Sequence, residues 1–167
     1  MLMSQLGIVM FLRALIAFIA LPGVIALILP PIIGSNDPWR YASRYQGIVV
    51  IVIGLILLIS CVRDFYVSGK GTLAPWHPPK HLVIIGLYRY VRNPMYISVL
   101  ILVAGWAIYF MSPIIFCYAI ILAIAFHIRV VTNEEPWLEF EFGPEWSKYS
   151  STVHRWFPGF NRARKNR

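Results

Sequence analysis

Charge is scarce in this sequence. Asp, Glu, Lys and Arg make up 13% of the 167 residues, against roughly 25% in a typical soluble domain. Hydrophobic residues reach 59% and mean hydropathy is +0.68. Several apolar stretches approach the ~20 residues that carry a helix across a bilayer, so a water-soluble globular fold is excluded. Cysteine is scarcer still. Cys61 and Cys117 both lie in apolar stretches, which leaves no disulfide framework and no CxxC motif. His77, His81, His127 and His154 lack metal-ligand spacing, so no metal centre is expected. The glycine-rich phosphate loops and the HExxH and GxSxG signatures are all missing. No internal repeat, low-complexity block or Ser/Gly linker divides the chain, and a single domain is expected.

What is present is an all-α pattern. Four apolar stretches, at about residues 6–33, 46–62, 94–111 and 114–131, predict a polytopic membrane bundle of four transmembrane helices. The first stretch is long, contains Arg13 and is followed by no small-x-small cleavage site, so it reads as a retained span. Pro22 predicts a kink within it. Only 111-MSP-113 separates the third stretch from the fourth, which requires an antiparallel hairpin. Beyond it the chain turns amphipathic. Asn133 is expected to cap a new helix that Gly143 ends and Pro144 follows with another. There Trp146, Tyr149, Val153 and Trp156 share one face. Both pieces read as interfacial helices.

The net charge of +8 is a topology signal rather than a nucleic-acid footprint. Arg63, Lys70, Lys80, Arg89 and Arg92 precede the third stretch, and 161-NRARKNR-167 closes the chain. With four spans both regions, and both termini, fall on one side, which the positive-inside rule makes cytoplasmic. The basic residues there also suit anionic membrane lipids. The opposite loop carries Arg40 and Arg44 against Asp37.

Polar chemistry gathers at that cytoplasmic face. In 86-GLYRYVRNPMYISVL-100, Asn93–Pro94 is a helix start, a capping residue followed by proline at the first helical position. Its free N–H groups favour an anion. Tyr88, Arg92 and Tyr96 recur at four-residue spacing beside it. A second cluster, His127, Arg129, Glu134 and Glu135, sits at the end of the fourth stretch, where ionisable groups are costly and often functional.

The run 86-GLYRYVRNPMY-96, the hairpin, 134-EEPWL-138, 142-FGPEWSKY-149 and then Val153, Arg155 and Pro158 resemble the isoprenylcysteine carboxyl methyltransferase family and related phospholipid methyltransferases. The resemblance covers about residues 71–160. It implies an enzyme that transfers a methyl group from S-adenosylmethionine to a lipophilic or lipidated acceptor. It places the cofactor on Lys80, His81, Leu82, Val83, Tyr88, Arg92, Asn93, Pro94, Met95, Tyr96 and Glu134. Asn93 stands where the family has histidine, and Val130 where it has a substrate arginine; Arg129, next to it, is the candidate for that role. Glu135 is the candidate base for an amine acceptor. Two other readings follow from the same residues: an NADPH-dependent membrane reductase of related architecture, and a non-catalytic membrane scaffold.

Overall fold

Proline removes a backbone donor, and the first helix shows what must replace it. The computed structural model describes residues 19–69 and 81–158. The first helix, α1, is π-wound over Ile19–Ile28 and α-helical over Leu29–Asn36. Pro22 is thus absorbed by π winding. Pro30 and Pro31 cannot donate to the carbonyls five residues back, those of Ile25 and Ala26. Carbonyls left without a helical donor need other partners when they lie away from water. Two side chains fill the gap: the Tyr118 hydroxyl donates to the Ile25 carbonyl at 3.0 Å, and the Trp106 indole N–H donates to that of Ala26 at 3.0 Å.

The second helix, α2, spans Gln46–Gly69 and outlasts the predicted stretch that ended at residue 62. No glycine or proline interrupts its polar end before Gly69, so the ladder continues past the apolar stretch. The helices α3 (Pro94–Phe110) and α4 (Pro113–Arg129) form the expected hairpin. Met111 turns it with φ 47°, and the Ser112 hydroxyl caps α4 by accepting from the Ile115 N–H at 3.1 Å.

The end of the hairpin departs from the sequence reading. No break separates α4 from α5 (Glu135–Thr152); a π turn over Val130–Glu134 joins them. Asn133 lies inside that turn and caps nothing. The widened turn falls just ahead of Pro136, whose missing N–H and bulky ring disfavour a regular one. The predicted break at Gly143–Pro144 is present as a kink, with Gly143 at φ 45° and ψ −116°.

Among the described residues the fold is helical, and two helices are long and apolar enough to cross a bilayer: Gln46–Phe65 and the continuous run Pro113–Thr152. Pro22–Asn36 and Pro94–Phe110 are shorter apolar helices. At ~1.5 Å per residue α3 reaches about 25 Å, somewhat under the ~30 Å hydrocarbon core. Leu58, Leu102, Val103 and Ile115 are fully buried between helices. Phe116, Ile120, Ile121, Ile124 and Ile128 on α4 stay exposed, an apolar face suited to lipid.

The most extensive helix pair is α2 with α3, and glycines set its spacing. A Cβ on Gly47 would collide with the Tyr109 backbone nitrogen and lie 2.6 Å from the Gly105 carbonyl oxygen. One on Gly105 would lie 2.8 Å from the Ile51 nitrogen. Backbone cannot yield as a side chain can. Gly47→Ala is therefore expected to destabilise the protein by about 1–3 kcal/mol, the usual cost of overpacking, although alanine is the better helix former by about 1 kcal/mol. A thermal melt in detergent decides the sign. A raised melting temperature would show that the helices separate freely.

Candidate active site

The loop before α3 is shaped by one glycine and one carboxylate. Gly86 takes φ +54°, and a side chain there would run into the carboxylate of buried Asp64 from the end of α2. Glycine meets both demands. The single 3₁₀ turn that follows, Gly86–Arg89, buries Tyr88 against Cys61 and Val83. Burial pushes the Tyr88 phenol well above its ordinary value, so it stays protonated. Its main chain is fixed from α5, whose Tyr149 hydroxyl donates to the Tyr88 carbonyl at 2.6 Å.

A strap from beyond α5 holds the next residues. Val91 pairs in a parallel bridge with His154, and the Arg92 N–H donates to the His154 carbonyl at 2.9 Å. The Asn93 side chain makes no cap to α3. Its Nδ2 donates instead to the Arg155 carbonyl at 3.2 Å. One residue further, the Trp156 indole donates to His127 Nδ1 at 3.1 Å. The start of α3, the end of α4 and the chain after α5 are thereby drawn to one end of the bundle.

Two carboxylate clusters result, and they divide adjacent glutamates. In the first, Glu134 Oε1 accepts from the Tyr96 hydroxyl and from Arg129 Nε, the latter at 2.9 Å. Arg129 Nε also reaches the Tyr96 oxygen at 3.2 Å. The Tyr96 ring packs on Phe126, with centroids 4.4 Å apart. The π turn is what carries Glu134 back to α3, 38 positions earlier in the chain. Its Oε2 makes no hydrogen bond among the described residues, and the side chain is 31% exposed. Arg129 is half exposed at the rim.

In the second cluster both oxygens of Glu135 are engaged. Its Oε1 accepts from Arg155 Nε at 2.8 Å and lies 3.0 Å from Arg92 Nη1 in an ion pair, and its Oε2 accepts from Arg155 Nη2 at 2.6 Å. The Arg92 guanidinium also lies 5.6 Å from the Trp146 ring centroid, a cation–π contact.

The structure thus joins Tyr96, Glu134 and Arg129, and separately Arg92 and Glu135. Val83 belongs to the Tyr88 cluster, Leu82 is half-buried and His81 exposed. Pro94 is buried, and Met95 packs against both the Tyr88 cluster and the bundle core. Lys80 lies outside the described residues. Arg155, Trp146 and Tyr149 were part of the motif and the helix face read from the sequence but not among the expected site residues, yet they frame the site. The helical spacing of Trp146 and Tyr149, both buried, was the available signal; the helix ends at Thr152, so Val153 and Trp156 do not continue its face as expected.

Bilayer-length helices and a polar site gathered at one end of their bundle define a membrane protein with a candidate active site at its rim. A family model, Phospholipid methyltransferase, matches residues 42–145, more than half of the chain, and the chain belongs to that family. Among curated proteins it is similar to the probable protein-S-isoprenylcysteine O-methyltransferases of Oryza sativa subsp. indica and subsp. japonica. Each is 26% identical over 115 residues, covering 68% of this chain and 60% of the rice protein. The chain therefore spans about 60% of the length of these relatives. An uncharacterized protein of Haemophilus influenzae is 29% identical over 62 residues, 37% of this chain and 98% of that protein. No solved structure matches.

Proposed function

We propose that the chain is a membrane methyltransferase that uses S-adenosylmethionine and acts on a lipophilic acceptor at the cytoplasmic interface. The observation that carries this reading is the Tyr96–Glu134–Arg129 cluster within a chain of this family. One oxygen of Glu134 is spent on fixing the side chain, and the other is left open at a partly exposed rim. Such a carboxylate fits the ammonium of the methyl donor. Tyr96, half-buried beside it, offers an aromatic face for the donor's cationic centre.

When bound, S-adenosylmethionine supplies an electrophilic methyl group for in-line displacement. The protein's part is alignment and exclusion of water. Tyr96 orients Glu134, and the buried Tyr88 cluster holds the 82–88 loop against α2. Arg92 is committed to Glu135, so the backbone at the start of α3 is left to receive the donor carboxylate. Arg129, half exposed, faces the acceptor. Glu135 has both oxygens engaged by arginine side chains, and we assign it a positioning role. That favours an acceptor arriving as a carboxylate, prenylcysteine-like, which needs no base; a lipid head-group amine would need one. We read the chain as crossing the bilayer four times, with the site and both termini cytoplasmic, because the basic residues concentrate on that side.

Calorimetric titration of the detergent-purified chain with S-adenosylmethionine, S-adenosylhomocysteine and NADPH tests this. Saturable binding of the first two, and methyl incorporation into prenylcysteine lipids, is expected. Binding of NADPH alone would replace the reading with a reductase, and binding of none with a scaffold.

A further inference from the structure

At the other end of α3 the loop between α1 and α2 has a built form that the methyltransferase reading does not use. Its backbone is tied down. The Tyr41 N–H donates to the Met111 carbonyl at 3.4 Å and the Arg44 N–H to the Tyr109 carbonyl at 2.9 Å. Asp37, 4% exposed, is wholly engaged inside: it accepts from the Ser112 hydroxyl, from the Trp39 N–H at 2.8 Å and from the Ile114 N–H at 3.4 Å. The loop's only acid is thus turned into the protein; Arg40 Nη1 reaches back to the Gly34 carbonyl at 3.5 Å, and Arg44 lines the open side of the loop.

The side chains contrast with this rigid backbone. Trp39 is 67% exposed, Tyr41 72% and Tyr45 76%. Arg40 and Arg44 are exposed. Arg44 takes part in none of the ion pairs among the described residues. Tyr41, Arg44, Tyr45, Gln46 and Met111 line an open concavity of about 630 Å³. A helix of α3's length separates it from Asn93, which puts it at the opposite face of the membrane from the candidate site.

Aromatic rims alone mark a membrane interface. Arg44, in none of the ion pairs among the described residues and beside an acid already engaged inside, is a cation left to pair with an anion of that leaflet. Arginine pairs with phosphate oxygens through its fork of donors, and tyrosine and tryptophan seat the glycerol and upper acyl region beside it. We infer that residues 39–46 bind the phosphate head group of an anionic phospholipid from that leaflet. This does not depend on the methyltransferase reading.

Native mass spectrometry of the full chain in detergent provides the test, with short-chain phosphatidylglycerol, short-chain phosphatidylcholine and inorganic phosphate as probes. Saturable binding of phosphatidylglycerol in preference to phosphatidylcholine is expected. The Arg44→Gln protein should lose about five-fold in phosphatidylglycerol affinity, with phosphatidylcholine unchanged and an unaltered thermal melt. Arg63→Gln, removing an exposed cation at the far end of α2, should leave that affinity intact. Equal binding of the two lipids would overturn the inference, as would an undiminished preference in the Arg44→Gln variant. Displacement of the lipid by inorganic phosphate would point to a free-anion site and also overturn it.

Discussion

Glu135→Ala is expected to destabilise the protein by about 3 kcal/mol, near the lower end of the range for breaking a buried ion pair. Glu135 carries two arginines at once, and its side chain is 16% exposed. Without it, Arg92 stays behind at 14% exposure. Its Nε already lacks a hydrogen-bond partner among the described residues. An uncompensated guanidinium over Trp146 is the main cost. Arg155→Ala removes the other partner but leaves Glu135 paired with Arg92, so about 1 kcal/mol is expected there, closer to an exposed pair. Arg155→Lys keeps the charge and loses the two-pronged geometry, and should fall between wild type and alanine. Thermal unfolding of the three variants in one detergent gives the order. If Glu135→Ala melts like wild type while methyl transfer disappears, the general-base role that the sequence suggested is the correct one.

How much of this was legible beforehand depends on the signal. The hairpin of α3 and α4 was written locally: 17-residue apolar helices, each opened by proline, flank the turn at Met111–Ser112. The kink at Gly143–Pro144 was equally local. The fusion of α4 with α5 was not. Asn133 is a good capping residue in isolation, but a cap forms only where the ladder stops. Between Pro113 and Pro136 nothing stops it. The π winding of α1 was hidden for a different reason. Pro30 and Pro31 announce missing donors, but the Tyr118 and Trp106 groups that answer them come from helices about 80–90 positions away.

The candidate site shows the same division. Tyr88, Tyr96, Arg129 and Glu134 stood out as polar groups at the ends of apolar stretches. Their pairing could not be read, because the π turn decides which of two neighbouring glutamates faces α3. Glu134 turns to Tyr96, and Glu135 turns to Arg92 and Arg155. Asn93 was marked as a helix cap at a position where histidine is usual. Its side chain instead fastens the Arg155 carbonyl, a structural task that needs a donor and no titrating group.

Glu134→Gln separates binding from framing and is expected to have the largest functional effect. The amide oxygen can still accept from Tyr96 and Arg129, so the fold should change little and the melting temperature should stay close to wild type. The negative charge offered to the donor's ammonium disappears. A charge-assisted hydrogen bond is worth about 1.5–3 kcal/mol, so S-adenosylmethionine and S-adenosylhomocysteine should each bind roughly 10–100-fold more weakly. Both carry the ammonium, so both should lose alike. 5′-Methylthioadenosine keeps the adenosine and the thioether but has no ammonium, and it should bind wild type and variant equally. Tyr96→Phe leaves the charge and removes only the hydroxyl that aims it, about 1 kcal/mol or five-fold in affinity. Calorimetry across these three ligands and three proteins distinguishes the alternatives. A uniform loss that includes 5′-methylthioadenosine would mean that Glu134 shapes the pocket rather than pairing the ammonium. No loss for any ligand would move the donor away from the π turn altogether.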